Sequence, residues 1–235
     1  MPWHRFMDEI AEAGYGWTEL GPYGYLPTDI NQLKQELADR GLRVSGTFIM
    51  GDLAAPTAWG EIERQLLGAG KILQALGAKF LVLIDDTYSD LSTGEQLGPA
   101  KLDEQGWKRL VDTTHKVAGI AKDKFGLTTV FHPHAETHVQ YEDQIERLLE
   151  DTDPMLIRIC FDTGHHEYCG GNAVAFMRKH HERIDYLHLK NVDRQVRQRV
   201  MNEKIPFAQA VAMDMFCELA NGTVDFNALG QLLDE

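Results

Sequence analysis

Two apolar runs that each end in metal-binding residue types constrain the fold of this chain more than any other feature. Residues 157–161 run into Asp162-Thr163-Gly164-His165, and residues 184–187 run into His188-Leu189-Lys190. The stretch between them is long enough for one helix. Two successive strands of a parallel barrel would place Asp162 and His188 side by side at their carboxyl ends, where the active sites of that fold lie. A carboxylate with an imidazole suits Mn²⁺, Co²⁺, Fe²⁺ or Zn²⁺ better than Ca²⁺.

Short apolar runs alternate with amphipathic segments along the whole chain. The apolar runs predict strands at 17–20, 43–49, 80–84, 127–131, 157–161 and 184–187. Apolar residues at helical spacing predict helices at 2–13, 29–40, 58–76, 103–124, 141–150, 172–182, 206–213 and 224–233. This alternation predicts an α/β fold with a parallel sheet, most simply a TIM-type (β/α) barrel formed by residues 1–235 as a single domain. The first strand is not followed by a glycine-rich phosphate fingerprint, which disfavours a dinucleotide-binding sheet.

Charge and cysteine content exclude several classes of function. The net charge of −13 argues against broad binding to nucleic acid or to anionic membranes, because both require a basic surface. Cys160, Cys169 and Cys217 form neither a disulfide framework nor a zinc-knuckle pattern, which fits a reducing cytoplasm. The chain has no apolar run of about 18 residues, so we expect no membrane span. Its N-terminus also does not have the apolar core of a signal peptide.

Polar residues follow most of the predicted strands, and in a barrel they would converge on one mouth. They are Glu19, Asp85 and Asp86, His132 and His134, Asp162 and His165, and His188 and Lys190. Asp162 directly follows an apolar run, and a buried carboxylate requires a partner or a metal. Glu19 and Asp85 can equally be capping carboxylates, and His188 can be a satisfied core histidine. Tyr23, in the loop after Glu19, is a candidate for lining a sugar pocket.

The Asp162-Thr163-Gly164-His165 motif, followed one unit later by His188-Leu189-Lys190, resembles the xylose-isomerase-like TIM-barrel superfamily. Two further segments resemble its inosose (2-keto-myo-inositol) dehydratase branch. They are residues 18–27, Thr-Glu-Leu-Gly-Pro-Tyr-Gly-Tyr-Leu-Pro, and Phe131-His132-Pro133-His134 with Thr137 and Val139. The resemblance covers almost the whole chain, although the first motif alone marks only the superfamily.

The resemblance implies a metal-dependent dehydratase acting on a keto-cyclitol through an enediolate. A divalent metal would polarise the ketone, and Mn²⁺ or Co²⁺ is expected in preference to Zn²⁺ or Fe²⁺. A base would take the proton from the neighbouring carbon, and an acid would protonate the departing hydroxyl. A sugar isomerase or epimerase on the same scaffold, and a non-catalytic shortened relative, are the alternatives. The expected partner is a small sugar or cyclitol.

The resemblance also suggests roles for individual residues. Asp162 and His188 match two metal ligands of the superfamily, and His132 stands where many relatives have a glutamate ligand. Gln140 replaces a glutamate common in the dehydratase branch, and Glu142 lies nearby, so the first ligand is open among His132, Gln140 and Glu142. The remaining candidates are Glu19, His165 and Lys190 for catalysis and Tyr23, Asp85 and His134 for substrate binding.

The ends of the chain differ from the family pattern. Family members begin with a strand before the first helix and finish with a strand that carries a last glutamate ligand, whereas Met1 here opens almost directly into a helix. We therefore expect a barrel without its first and last strands, whose two exposed sheet edges a second copy of the chain can cover.

Overall fold

The computed structural model describes residues 1–234 and has the parallel architecture that the sequence predicts. Within these residues six strands form one sheet in the order β1 to β6. The strands are β1 Trp17–Pro22, β2 Arg43–Gly51, β3 Phe80–Asp85, β4 Thr128–Phe131, β5 Ile157–Asp162 and β6 Ile184–His188. All neighbouring pairs are parallel. The predicted α/β class, an incomplete barrel of parallel strands, is confirmed.

Helices connect the strands and continue after the last one. They are α1 Trp3–Glu12, α2 Ile30–Asp39, α3 Trp59–Leu76, α4 Glu104–Phe125, α5 Glu142–Asp151, α6 Thr163–Tyr168, α7 Ala173–His180, α8 Arg194–Glu203, α9 Phe207–Ala212 and α10 Phe226–Asp234. A short 3₁₀ turn, His181–Arg183, leads into β6. A two-stranded antiparallel pair, β7 Asn191–Val192 and β8 Phe216–Cys217, lies beyond it.

Local signals set the helix boundaries. The Asp103 carboxylate accepts a hydrogen bond from Gly106 N at 2.7 Å and caps α4, while Gly77 and Gly126 end α3 and α4 in the left-handed conformation, with φ of 68° and 69°. Glycine adopts this conformation without steric cost. Asp29 caps α2, because its carboxylate accepts a hydrogen bond from Gln32 N.

Alternate residues of each strand face opposite sides of the sheet. Leu81, Leu83, Phe131, Ile159 and Phe161 point outward and pack in the large core beneath the helices. Their neighbours point into the barrel and form an inner apolar cluster, which comprises Phe48, Met50, Phe80, Val82, Ile84, Val130, Cys160 and Tyr186. Because of the same alternation, the next inward-facing positions after β4 and on β5 and β6 lie at the mouth of the barrel, at the carboxyl ends of the strands.

The sheet curls until its two ends approach each other. On β6, the Tyr186 hydroxyl lies 2.6 Å from Ser45 Oγ of β2, and its ring lies 5.0 Å from that of Phe80 on β3. These contacts cross the barrel interior. Side chains of β6 can therefore meet those of β1 and β2 although the strands are far apart in the sheet order.

A small cap covers part of the strands' carboxyl ends, and the sequence analysis did not predict most of it. Helix α9 was predicted from the sequence, whereas helices α6 and α8 and the β7–β8 pair were not. The cap has its own apolar cluster, formed by Ala135, Tyr168, Val192, Val200, Phe207, Ala210 and Met215. This cluster holds α8, α9 and the β7–β8 pair against the mouth of the barrel.

None of the helices described for residues 1–234 combines the length and the apolarity needed to cross a bilayer. Cys160, Cys169 and Cys217 are all free.

Candidate metal centre and active site

The predicted metal residues meet at the carboxyl ends of β4, β5 and β6. His132 follows β4, Asp162 ends β5 and His188 ends β6, and Asp162 and His188 are direct register partners. Each occupies an inward position, two residues beyond Val130, Cys160 and Tyr186 respectively. The barrel alternation therefore aims all three side chains into the mouth.

Asp162 divides its two carboxylate oxygens between the backbone and the site. Oδ1 accepts hydrogen bonds from Gly164 N at 2.9 Å and His165 N at 3.0 Å, so it caps α6. Oδ2 faces the histidines and accepts from the Lys190 ammonium. Burial acts to raise the pKa of Asp162, but the hydrogen bond of His132 and the charges around the carboxylate outweigh it and hold the pKa well below its usual range. Asp162 is therefore an ionised, buried carboxylate.

Three imidazole nitrogens surround Oδ2 of Asp162. The distances are 3.5 Å to His132 Nε2, 3.7 Å to His188 Nδ1 and 3.9 Å to His165 Nε2. Two ligands that share one ion at bond lengths of about 2.1 Å and a tetrahedral angle lie about 3.4 Å apart. His132, Asp162 and His165 also form a group whose ligand atoms all lie within 4.8 Å of one another.

The chemistry of these donors fits a divalent metal. Burial lowers the pKa of His132 and of His165, so both imidazoles are neutral, as metal ligation requires. The buried Nδ1 of His132 has no hydrogen-bond partner among the described residues, but Nε2 is the nitrogen that faces Asp162, so a metal shared with Asp162 would be bound through Nε2. An ammonium group already sits against Asp162 Oδ2, so this position attracts a cation.

His165 and His188 differ in which nitrogen is free to bind. Nδ1 of His165 accepts from Ala135 N at 3.4 Å, which assigns the proton to Nε2, the atom that faces Asp162. His188 is reversed, because its Nε2 lies 2.8 Å from Glu19 Oε1 and its Nδ1 faces Asp162. This hydrogen bonding favours His188 as a ligand and His165 as a donor to Asp162 or to substrate; both roles stay predictions.

Cys160 is the remaining candidate donor, since His132, Cys160 and His188 form a second group of ligand atoms within 4.8 Å. The thiol is fully buried, and burial raises its pKa well above the ordinary value. A protonated thiol is a poor metal ligand. Cys160 therefore belongs to the inner apolar cluster.

Lys190 is held against the site by a reciprocal contact with Thr163. Thr163 Oγ1 donates to Lys190 O at 2.6 Å, and Lys190 N lies 3.0 Å from Thr163 Oγ1. Gly164 permits this approach, because a Cβ at that position would lie 2.5 Å from Lys190 Cβ. The motif glycine thus brings the start of α6 against the segment after β6.

Glu19, predicted as a catalytic residue, comes into the site from β1. Its Oε1 is the partner of His188 Nε2, and both side chains are about a quarter exposed, at 25% and 26%. Burial acts to raise the pKa of Glu19, but the hydrogen bond and charge of His188 outweigh it, and the pKa lies below its ordinary value. Glu19 is therefore an ionised acceptor.

Of the three residues predicted to bind substrate, the structure brings His134 to the site. Its ring centroid lies 3.8 Å from that of His165 and 5.6 Å from that of His132. Nδ1 contacts Ala135 O at 2.7 Å, which leaves a lone pair on Nε2. Burial, with the neighbouring His132, lowers the pKa of His134 to about 4.

Tyr23 and Asp85 lie elsewhere. The Tyr23 ring packs on α3 over Gly68, where a Cβ would lie 2.4 Å from the ring. Asp85 occupies an outward position of β3, fully buried, and accepts from Leu53 N at 3.0 Å and from His138. Substrate contact by Tyr23 or Asp85 stays a prediction, and these contacts do not support it.

Neither alternative to His132 as first ligand points at Asp162. Gln140 donates to the Tyr88 hydroxyl at 2.9 Å and accepts from Glu136 N at 2.9 Å, so its amide ties two loops together. Glu142 is 44% exposed and lies 3.4 Å from His166 Nε2. Of the three, His132 has the geometry of a ligand.

Three residues were not predicted from the sequence, two aromatic residues at the site and one histidine beside Asp85. Phe207 and Phe216 form an aromatic wall, with centroids 5.7 Å and 5.4 Å from the His165 ring. They come from the cap, whose position no local pattern reveals.

His138 is the third: its Nδ1 lies 2.7 Å from Asp85 Oδ2 and its Nε2 lies 3.1 Å from Pro99 O. With an acceptor at each nitrogen, His138 is an imidazolium that pins the loop between β3 and α4.

The Asp85–His138 pair makes stability depend on pH. Burial acts to lower the pKa of His138, but the hydrogen bond to Asp85 outweighs it and raises the pKa above its ordinary value. The His138 contribution is therefore complete below about pH 6.5, down to the pH at which Asp85, whose pKa burial raises, becomes protonated, and it is lost as pH rises through the raised pKa of His138. We expect His138→Gln to lower the free energy of unfolding by about 1–3 kcal/mol at pH 6 and by less at pH 9, as measured by urea denaturation.

Tyr88→Phe is the control for this experiment. It removes a hydrogen bond of a neighbouring loop, and burial raises the pKa of Tyr88 above its ordinary value, so its charge does not change in this range. Its effect is expected to be equal at the two pH values. An equal effect of His138→Gln at both values would contradict a charged pair.

Comparisons with known proteins identify the family of the chain. The family described as xylose isomerase-like TIM barrel matches residues 7–235. The chain belongs to this family. An inosose dehydratase from Clostridium beijerinckii is 33% identical over 232 residues, which are 97% of this chain and 76% of the relative. An inosose dehydratase from Geobacillus thermodenitrificans is 30% identical over 233 residues, with the same coverage of 97% and 76%. The resemblance to this branch, inferred from the motifs, is confirmed.

Solved structures of the family share the fold at low sequence identity. The probable 3-DHS dehydratase AsbF from Bacillus anthracis has a TM-score of 0.76 and 13% identity, and covers 100% of this chain and 84% of its own. The IOLI protein, solved with a zinc atom, has a TM-score of 0.73 and 15% identity, and covers 98% and 79%. These similarities support the barrel fold.

Proposed function

We propose that this chain is a metal-dependent dehydratase that removes water from a keto-cyclitol such as 2-keto-myo-inositol. The observation that carries the proposal is the surroundings of Asp162 Oδ2, an ionised oxygen facing His132, His188, His165 and the Lys190 ammonium. The relatives named inosose dehydratases, which match 97% of the chain, supply the substrate class.

His132, Asp162 and His188 would hold the metal. A mixed nitrogen and oxygen donor set suits Mn²⁺ or Co²⁺, and Zn²⁺ or Fe²⁺ are also compatible. When bound, the metal supplies Lewis-acid polarisation of the substrate ketone.

The other residues of the mouth would move the protons. Nε2 of His134, with its free lone pair, takes the proton from the carbon beside the ketone, and the electron pair left behind expels the hydroxyl on the next carbon. Lys190 protonates that hydroxyl, so that one water leaves, and the enol that remains tautomerises to the diketone. Return of the proton from His134 to Lys190 through solvent completes the cycle. His165, with its proton on Nε2, orients Asp162 and the substrate oxygens, and the Phe207 and Phe216 wall limits access of water.

The test is turnover of the metal-loaded chain. We expect incubation with 2-keto-myo-inositol and Mn²⁺ or Co²⁺ to yield the diketone, EDTA treatment to abolish its formation, and added metal to restore it. Ketohexoses and ketopentoses serve as the comparison, with epimers detected by chromatography. Epimer formation from a ketose without any diketone from inosose would overturn the proposal in favour of an epimerase. Metal-loaded protein that turns over neither substrate class would also count against it.

A further inference from the structure

The contact between Glu19 and His188 joins the two ends of the sheet across the barrel mouth. Glu19 lies on β1 and His188 ends β6, the two outer strands in the sheet order, yet Glu19 Oε1 and His188 Nε2 are 2.8 Å apart. The two residues are separated by 169 positions in the chain. Only the curl of the sheet makes this contact possible.

From this contact we propose that Glu19 is a positioning residue, which holds His188 in the tautomer and orientation that bind the metal, and that it is not the catalytic base. The inference rests on the proposed function for the presence of a metal. It reassigns Glu19, which the sequence analysis grouped with the catalytic residues.

The hydrogen bonding determines the tautomer. A carboxylate can only accept, so the 2.8 Å contact places a proton on Nε2 of His188. A neutral imidazole carries one ring proton, which leaves the lone pair on Nδ1. Nδ1 is the nitrogen that lies 3.7 Å from Asp162 Oδ2. Glu19 therefore turns a lone pair toward the cation position, as the carboxylate partners of ligating histidines do in metal sites.

The same contact argues against a role as base. A general base requires a free lone pair within reach of the substrate proton, and Oε1 is directed at His188, so Oε2 alone is left for that role. Breaking that contact would release the imidazole of a ligand during the reaction. His134, by contrast, has Nε2 free and lies beside His165 at the mouth.

Two variants separate the roles. Glu19→Gln keeps an oxygen that can accept from Nε2 but cannot act as a base, whereas Glu19→Ala removes both properties. With Glu19 as a positioning residue, we expect Glu19→Ala to weaken Co²⁺ binding about 10- to 100-fold and to change the Co²⁺ absorption spectrum. Glu19→Gln is expected to keep Co²⁺ affinity and kcat within about tenfold of the original protein, because the hydrogen bond is retained.

A base would behave differently. Both variants would then bind Co²⁺ as the original protein does, and both would lose about 10²- to 10⁴-fold in kcat. Glu61→Ala is the control, since Glu61 lies on the exposed face of α3 and pairs with Arg64. It is expected to leave Co²⁺ binding, its spectrum and kcat unchanged. Circular dichroism and urea unfolding of each variant verify the fold.

The tautomer itself is a readout independent of turnover. In the metal-free protein, ¹⁵N NMR of the imidazoles is expected to show His188 protonated on Nε2, and Glu19→Ala is expected to shift this resonance toward a mixture of tautomers. An unchanged tautomer together with unchanged Co²⁺ affinity in Glu19→Ala would overturn the inference. Failure of the original protein to bind Co²⁺ would overturn it as well. If Co²⁺ binds and depends on Glu19 while inosose is not dehydrated, the proposed function fails and the positioning role stands.

Discussion

Asp162→Asn is expected to leave the fold intact while abolishing both metal binding and turnover. Asn retains an oxygen that can accept from Gly164 N and His165 N, so the cap of α6 survives. The charge that attracts the metal is lost, and the amide is a weaker ligand. We expect bound Mn²⁺ or Co²⁺ to fall below about a tenth of an equivalent. We expect kcat/KM to fall by at least about 10³-fold, which corresponds to several kcal/mol of lost Lewis-acid stabilisation.

Asp193→Asn is a matched control for this variant. Asp193 caps α8 by accepting from Gln195 N and Val196 N, both at 2.8 Å, in the same manner as Asp162 caps α6. Asp193→Asn removes a capping charge without altering the residues around Asp162 Oδ2. Full metal content and activity are therefore expected. Metal analysis and steady-state kinetics on both variants make the comparison. Full metal content with full turnover in Asp162→Asn would end the assignment of this site.

Asn191→Ala is expected to cause the largest loss of stability among the substitutions considered. The buried Asn191 side chain donates to Leu219 O at 2.7 Å and to Val224 O at 3.3 Å, and accepts from Val224 N at 2.8 Å. It ties the segment before α10 to the position next to Lys190. Removing the amide leaves several buried backbone groups unpaired, each at a cost of about 1–3 kcal/mol. We expect the free energy of unfolding to fall by about 3–5 kcal/mol, measured by urea denaturation.

Asn202→Ala provides the comparison for that experiment. Asn202 is exposed on α8, and its substitution is expected to change the free energy of unfolding by less than about 0.5 kcal/mol. A loss below about 1 kcal/mol for Asn191→Ala would show that the segment before α10 is held by other contacts. Metal content of Asn191→Ala at low temperature tests whether the loosened segment also disturbs Lys190.

The strands and most helices could be predicted because each has a strong local pattern. Residues 80–84 form an apolar run bounded by polar residues, and α3 and α4 end at glycines with the left-handed conformation that such ends favour. The side-by-side placement of Asp162 and His188 followed from the parallel topology alone. Their inward direction follows from the alternation of side chains between the two faces of a strand. The sequence shows this alternation, but it does not show which face lies inside the barrel.

The cap and the outward direction of Asp85 could not be predicted for physical reasons. Helix α8 is strongly polar, with Val200 as its buried residue, so tertiary packing and not periodicity selects it. Asp85 ends a strand as Asp162 does, but it stands on the opposite face. Asp85 comes one residue after the inward-facing Ile84 and therefore faces outward. Asp162 comes two residues after the inward-facing Cys160 and therefore faces inward.

The inner apolar cluster has a consequence for how the site responds to change. Val130, Cys160 and Tyr186 form a largely apolar floor, one inward position below His132, Asp162 and His188. A medium of low polarity strengthens every charge interaction above it, so the field that a substrate meets depends on the floor as well as on the ligands. Adding a further polar group to that floor, beyond the hydroxyl that Tyr186 shares with Ser45, would weaken the hold on a cation without altering any residue that touches it. The polarity of the floor formed by Val130, Cys160 and Tyr186 therefore affects the chemistry at the mouth of the barrel, in addition to the residues that line the mouth.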